Sequence, residues 1–351
     1  MKPSTWFGLA LIGLLLLLCL LSGKTLAVIL ARVIKPEYDT NRQNSLPTKA
    51  ISPSSNDQQE PAISGTRVVW SEKIEGYWQI VLFDLSENSR HQLTFDALDH
   101  VAPSISGDIV IWWEGPPRGP SNVAGMNSTT GQKLTFPDVT VANPHIEGTT
   151  VVWAGPIDIA SRTNSIEYFD LMNQTGRVLT TSFAVNWPRV SGNISVWEDW
   201  RNEDSDVWGY DLSANQEFPI VKTRGDQERP DISGTVVVWQ DNRNGVAIND
   251  FDIYGYDLLD QREFIISARG GNEMEPKVSH DIVVWTDYVV SKIDVYGFNL
   301  KTQTLFTVAA DDHANLQPDV FGQVVVWTQA EKPYDIYAHT QIMIGVIPGQ
   351  P

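Results

Sequence analysis

The sequence predicts an all-β protein, a seven-bladed β-propeller whose blades are four-stranded antiparallel sheets. A ten-residue pattern that begins with proline and ends with tryptophan occurs seven times, always without a gap. Successive copies begin 41 to 46 residues apart, a spacing typical of propellers in which each repeat forms one blade. The seven pairs are Pro61/Trp70, Pro103/Trp112, Pro144/Trp153, Pro188/Trp197, Pro230/Trp239, Pro276/Trp285 and Pro318/Trp327.

Each ten-residue pattern predicts the first two strands of a blade and the turn between them. In the fifth copy, Asp231 to Gly234 predicts a short strand that ends in a tight turn, and the β-branched run Val236 to Trp239 predicts a strand buried on both faces. The turn needs a positive φ, which glycine adopts without steric cost. His280 replaces the glycine in the sixth copy, and histidine is among the residue types enriched in this region. The glycines of the other copies are Gly65, Gly107, Gly148, Gly192, Gly234 and Gly322.

A second recurring segment, Asp252 to Leu258 in the fifth copy, predicts the third strand of each blade. In the last copy we expect this strand at Asp335 to Tyr337. An Asp or Asn near the end of the segment suits an Asx-turn into a fourth strand. These turn residues are Asp84, Asn127, Asp170, Asp211, Asp257 and Asn299.

The ring needs a closing strand, because the last blade would otherwise expose an unpaired edge. An aliphatic residue of the fourth strand lies ten positions before each later proline, and Ile51 has the same offset from Pro61. We therefore expect Lys49 to Ser52 to supply the outer strand of the last blade. The alternative is that Ile342 to Ile344 supplies it from the C-terminus.

The N-terminal residues 1–35 predict a signal peptide or a membrane-anchor helix. The uncharged apolar run Trp6 to Leu21 is long for a signal sequence and short for a membrane span. Thr25 to Ala27 is compatible with cleavage, whereas the apolar run Thr25 to Ile34 would lengthen an uncleaved anchor. We expect an anchor with an extracytoplasmic domain, with secretion after cleavage as the alternative. Residues 36–47 then form a tether and residues 48–345 the propeller.

Composition restricts the possible partners. The chain of 351 residues has a net charge of −18 and a pI near 4.6, which argues against a nucleic-acid partner. Its one cysteine, Cys19, lies in the N-terminal apolar run, so the propeller has neither a disulfide nor a thiolate metal site. We expect a monomer.

The repeat resembles the TolB-type propeller repeats of the prokaryotic cell envelope. The resemblance rests on the pattern P-x-I-S-G-x-x-V-V-W followed by D-I-Y-G-Y-D-L, and it covers about residues 46 to 345. It implies the propeller fold and an envelope location, but not one activity, since such repeats occur in periplasmic scaffolds, surface-layer proteins and peptidase propeller domains. TolB has six blades and a further small domain, whereas this chain has seven repeats.

No catalytic set, metal site or cofactor is predicted. No two of the six histidines are spaced as a ligand pair, and His100, His145 and His313 lie at different phases of the repeat. Nucleophile-elbow and phosphate-loop motifs are absent from the sequence.

We expect a non-catalytic scaffold that binds an envelope protein, a peptide or a glycan at one face of the ring. The alternatives are a propeller-type glycan lyase or hydrolase and a purely structural envelope component. The binding face would combine loops before the first strands with loops between second and third strands, since both sets lie at one end of the blades. For Arg201, Asp241 and Arg243 the other interpretation is local pairing that stabilises a hairpin. The candidate ligand-binding residues are Trp187, Trp200, Arg201, Arg229, Asp241, Arg243, Glu275 and Asp287.

Overall fold

The computed structural model describes residues 45–117, 119, 121–137, 142–156, 163–245, 250–289, 292–332 and 339–348. All regular elements among these residues are β-strands, as the sequence predicts. This part of the chain has no helix long and apolar enough to cross a membrane. The predicted N-terminal signal or anchor helix and most of the tether lie outside the described residues.

The strands follow the seven repeats in order and form seven antiparallel blades. Blade 1 contains β2 (Gln58–Ser64), β3 (Arg67–Ile74), β4 (Tyr77–Asp84) and β5 (Ser89–Gln92). Blade 2 contains β6 (Asp99–Ser106), β7 (Ile109–Gly115) and β8 (Asn122–Asn127). Blade 3 contains β9 (Ala142–Glu147), β10 (Thr150–Ala154), β11 (Asn164–Asp170) and β12 (Thr175–Ser182). Blade 4 contains β13 (Val185–Ser191), β14 (Ile194–Asp199), β15 (Asp206–Asp211) and β16 (Gln216–Val221).

The remaining blades complete the ring. Blade 5 contains β17 (Gln227–Ser233), β18 (Val236–Asp241), β19 (Asp252–Asp257) and β20 (Arg262–Ser267). Blade 6 contains β21 (Asn272–Ser279), β22 (Ile282–Val289), β23 (Lys292–Asn299) and β24 (Thr304–Ala309). Blade 7 contains β25 (Ala314–Phe321), β26 (Val324–Ala330) and β27 (Thr340–Val346), and its outer strand is β1 (Thr48–Ala50).

Blade 2 departs from the predicted four strands. Its outer strand is reduced to one bridge, Met126 to Lys133, and a backbone hydrogen bond from Leu134 to Gly125. In blades 1 and 3 to 6 the fourth strand pairs over four or more residues, and in blade 7 the outer strand β1 pairs over three.

The repeat tryptophans form the core between blades. Each is almost fully buried within the second strand of its blade. Trp70 of blade 1 packs with Ile342 and Val326 of blade 7, and Trp239 of blade 5 packs with Val196 of blade 4. The hydrophobic core is therefore a ring of inter-sheet clusters, as large flat side chains between twisted sheets require.

Both predicted turn types are confirmed. All six repeat glycines have φ between 56° and 60°, and His280 takes their place with φ 54°. At the other hairpin, Asp84 Oδ1 accepts hydrogen bonds from the backbone of Ser86 and Glu87. The other five predicted Asp and Asn residues make the same pair of backbone bonds.

The predicted N-terminal closing strand is confirmed. Thr48 to Ala50 pairs antiparallel with Met343 to Gly345, and the Ile51 N–H donates to Ile342 O. The alternative is wrong, because Ile342 to Ile344 belongs to β27, the third strand of blade 7. The predicted third strand at Asp335 to Tyr337 lies outside the described residues, and among the described residues β27 pairs with β26 as the third strand of blade 7. The apolar run of β27 lacks the Asp that marks the third strand elsewhere, which hid its role.

Candidate functional site at the channel mouth

The first strand of each blade carries a β-bulge at the residue before its proline. All seven of these residues have φ between 49° and 57°, which is uncommon for side chains other than glycine. The strand register shifts around this position in every blade, and a bulge of this kind redirects a side chain. We call these seven residues the mouth ring: Glu60, Ala102, Asn143, Trp187, Arg229, Glu275 and Gln317.

The mouth ring opens into a central cavity of about 760 Å³, lined by the first strands of all seven blades. Every mouth-ring residue lines this cavity. Because local backbone strain of this type concentrates at functional sites, the repeated bulge makes this end of the channel the candidate binding site.

Three predicted site residues meet at the mouth. The guanidinium carbon of Arg229 lies 4.1 Å from the centroid of the Trp187 ring. Arg229 Nη1 donates a hydrogen bond of 2.7 Å to Glu275 Oε1. The side chains of Arg229 and Glu275 are 33% and 22% exposed, so the group faces solvent across blades 4, 5 and 6. Trp187, predicted in a loop, lies at the bulge inside β13.

Trp200 lies just behind this group, after β14. Its side chain is hydrogen-bonded to the carboxylate of Glu198, which also accepts from the Arg229 backbone N–H at 3.1 Å. Burial raises the pKa of Glu198 to about 7. Trp200 therefore supports the mouth through Glu198 and does not line the cavity.

Arg201, Asp241 and Arg243 also lie away from the cavity. Arg201 forms ion pairs with Asp199 and Glu217 and lies 3.8 Å from the Trp208 ring. Arg243 likewise forms an ion pair with Asp241, the residue two positions before it. These contacts match the local-pairing interpretation rather than a ligand-binding face.

Asp287 is buried within blade 6, with only 1% of its surface exposed. Its cross-strand neighbour is Glu273, which is also buried. Burial raises the pKa of Asp287 to about 6, while the nearby Arg269 opposes the rise. Asp287 is thus part of the blade interior and not of the exposed face that the sequence predicts.

Sequence reasoning missed a second ring deeper in the channel, formed by the residues directly after each proline. Arg189, Asp231, Lys277 and Asp319 alternate in charge around blades 4 to 7. Arg189 Nε lies 3.6 Å from Asp231 Oδ1, and Asp319 Oδ2 accepts from the Ile63 N–H across the ring closure. These residues could have been identified from the sequence, because each one directly follows a repeat proline.

Burial shifts the proton affinities of this inner ring. It lowers the pKa of Lys277, which the charge of Arg189 lowers further. Burial raises the pKa of Asp319 to about 6 against the effect of Lys277. His145, also directly after its proline, has a pKa well below its ordinary value because of burial and the charges of Arg189 and Lys277. The channel therefore holds groups with shifted pKa values inside an accessible cavity.

One further cluster joins Asp96, His100 and Glu114 in blade 2, with potential metal-ligating atoms within 4.8 Å of one another. No linear spacing indicated it, because the register of β6 with β7 places His100 beside Glu114.

Comparison with known proteins shows which solved structures share this fold. No family model matches the chain, and no curated protein is similar to it. Solved structures do match. An oligogalacturonate lyase from Vibrio parahaemolyticus has a TM-score of 0.65 at 12% identity, covering 88% of this chain and 95% of the lyase.

Two other matches have the same character. The β-propeller domain of the Trilobed protease from Pyrococcus furiosus gives a TM-score of 0.64 at 13% identity, covering 84% of this chain and 94% of that domain. A protein of Agrobacterium tumefaciens assigned as TolB gives 0.52 at 14% identity, covering 77% and 98%. The chain has a TolB-type β-propeller fold. At these identities the likeness shows the fold alone, and a shared fold does not by itself assign a function.

Proposed function

We propose that this TolB-type propeller is a non-catalytic binding module that recognises a peptide or glycan of the cell envelope at its channel mouth. The observation that carries the proposal is the half-buried group Trp187, Arg229 and Glu275 at the open end of the cavity. We further propose that residues 1–35 hold the domain at the outer face of a membrane, which supports an envelope partner.

The chemistry of the mouth suits recognition. Tryptophan offers a flat apolar face that packs against sugar C–H groups or peptide side chains, and such anchors give most of the affinity of an interface. Arg229 is held by its ion pair with Glu275, so its remaining donors are oriented before the ligand arrives. Asn143 and Gln317 add amide groups at the same level of the ring.

The test is capture of a partner from an envelope extract by the immobilised full chain, compared with Trp187→Ala. Ala102 occupies the equivalent bulge position of blade 2 with φ 50°, so the backbone accepts alanine there. We expect the variant to keep its melting temperature and lose affinity by about 30-fold, the effect of truncating a central aromatic anchor.

Leu259→Ala is the matched control, because Leu259 is an exposed apolar residue in the hairpin between β19 and β20, at the other end of the blades. Protease or glycosidase treatment of the extract distinguishes a peptide from a glycan partner. Equal capture by wild type and Trp187→Ala would refute a mouth-centred binding site.

A glycan lyase or hydrolase is the second candidate. It is supported by Lys277 and Asp319, whose shifted pKa values bring proton exchange closer to neutral pH within the cavity. Release of unsaturated or reducing sugar ends by wild type, lost in Lys277→Ala, would favour the enzyme over the binding module.

A further inference from the structure

The cluster in blade 2 sits beside the mouth ring but outside the cavity. His100 lies on β6, two residues before the mouth-ring residue Ala102. His100 Nε2 is 2.8 Å from Asp96 Oδ1, and His100 Nδ1 is 3.4 Å from Glu114 Oε2. Asp96, in the segment that leads into β6, is 58% exposed, whereas His100 is 1% exposed.

The equivalent carboxylates of other blades have a different role. Two positions after the repeat tryptophan, Glu72, Asp199 and Asp241 each accept a hydrogen bond from the indole N–H of that tryptophan. These three side chains are at most 1% exposed. The carboxylate in this position therefore satisfies the buried indole in blades 1, 4 and 5.

Blade 2 breaks this arrangement. Trp112 Nε1 is buried and makes no hydrogen bond with any described residue, although Glu114 stands two positions later. Glu114 instead lies beside His100, and its side chain is 35% exposed. Glu114 thus lacks the structural role that Glu72, Asp199 and Asp241 have in blades 1, 4 and 5.

His100 is also unusual within the repeat. Three residues before the proline, blades 1 and 5 have Gln58 and Gln227, and blade 7 has Asn315. The Asn315 amide oxygen accepts from the Trp327 indole at 2.9 Å, a structural contact. His100 Nδ1 is buried and has no hydrogen bond to the described residues, and such a nitrogen is costly unless something binds it.

We propose that Asp96, His100 and Glu114 bind a divalent transition-metal ion. One imidazole and two carboxylates form a ligand set suited to Zn²⁺ or a similar first-row ion, whereas Mg²⁺ and Ca²⁺ prefer oxygen ligands alone. The exposure of Asp96 provides an entry path, and a site with three protein ligands keeps positions for water. The ion would join the segment before β6 to β6 and β7 next to the mouth.

The test is calorimetric titration of the tag-free, chelator-treated full chain with Zn²⁺, together with Co²⁺ absorption to report the ligand geometry. We expect one equivalent to bind and the melting temperature to rise with metal, since an ion that binds only the folded state stabilises it. His100→Gln should weaken binding by more than about 100-fold, because loss of even an outer-shell partner costs 10- to 100-fold.

His100→Gln installs the residue found in blades 1 and 5, so its metal-free melting temperature should match that of wild type. Asp96→Asn should also weaken binding, whereas His91→Gln, which alters an exposed histidine of β5, should not. Absence of saturable binding, binding retained in His100→Gln, or binding of Ca²⁺ or Mg²⁺ alone would overturn the proposal. A failure of the mouth-binding experiment would leave this result unaffected.

Discussion

Blades 5 and 6 share the motif V-V-W-x-D in their second strands, yet they place its aspartate in opposite electrostatic settings. In blade 5, Asp241 Oδ2 accepts a hydrogen bond of 2.8 Å from the Trp239 indole N–H. The same oxygen lies 2.6 Å from Arg243 Nη2 in an ion pair. In blade 6, neither carboxylate oxygen of Asp287 makes a hydrogen bond to the described residues.

Two sequence differences account for this contrast. Val289 stands where blade 5 has Arg243, and Glu273 stands where blade 5 has Gln227. Blade 6 therefore buries two acidic side chains side by side, and burial raises the pKa of Glu273 well above its ordinary value, with Asp287 adding to the rise. The repeat motif thus determines where the aspartate side chain lies, whereas the residues around that side chain determine its protonation.

The largest expected effect is in blade 5. Arg243→Ala leaves Asp241 fully buried without its cation, which typically costs about 3–5 kcal/mol of unfolding free energy. Chemical denaturation at neutral pH measures the loss. Arg262→Ala, an exposed arginine of β20 in the same blade, should change stability by less than about 0.5 kcal/mol. Similar small changes in both variants would contradict the comparison.

An intermediate effect, opposite in sign, is expected in blade 6. The folded pKa of Asp287, about 6, exceeds the ordinary aspartate value of 3.8, so the stabilisation from the protonated carboxyl group is complete below pH 3.8 and is lost as the pH rises through 6. Asp287→Asn should therefore raise stability at pH 8 by about 1–3 kcal/mol and flatten this part of the pH profile.

Melting curves from about pH 3 to pH 8 test this, because the window spans the unfolded and folded pKa values of Asp287. Asp241→Asn is the matched control and should lower stability at neutral pH, since it removes one partner of the ion pair with Arg243. An Asp287→Asn variant with the wild-type pH profile would show that Asp287 does not titrate in the folded state.

The smallest effect comes from converting blade 6 toward blade 5. Val289→Arg places a guanidinium two residues after Asp287, as Arg243 follows Asp241, and should add about 1 kcal/mol at pH 8. Val289→Gln controls for the longer side chain. If both variants behave alike at pH 8, the missing arginine is not what distinguishes the blades.

The sequence predicted most of the fold because each repeat feature has a local physical cause. Proline, the turn residue and tryptophan fixed the strand positions, and even His280 adopts the expected conformation. Prediction from the local sequence failed in blade 7, where β27 lacks the usual Asp. It also failed in blade 2, where the outer strand is reduced to a single β-bridge.

The candidate site was less predictable because it depends on which blades are neighbours. Trp187, Arg229 and Glu275 come from three repeats, and only the ring brings them together. Conversely, Asp241 and Asp287 looked exposed because they follow strands near variable loops, yet both are buried by contacts that the linear pattern does not show.

The closing strand β1 has a mechanical consequence. It is three residues long and pairs only with β27 at the rim, and every residue from 1 to 44 precedes it in the chain. A pull from the N-terminal side therefore acts on the buried Leu46 and on this three-residue strand before it acts on blade 1. Tension applied through residues that precede β1 and opening of the ring are therefore coupled by this topology.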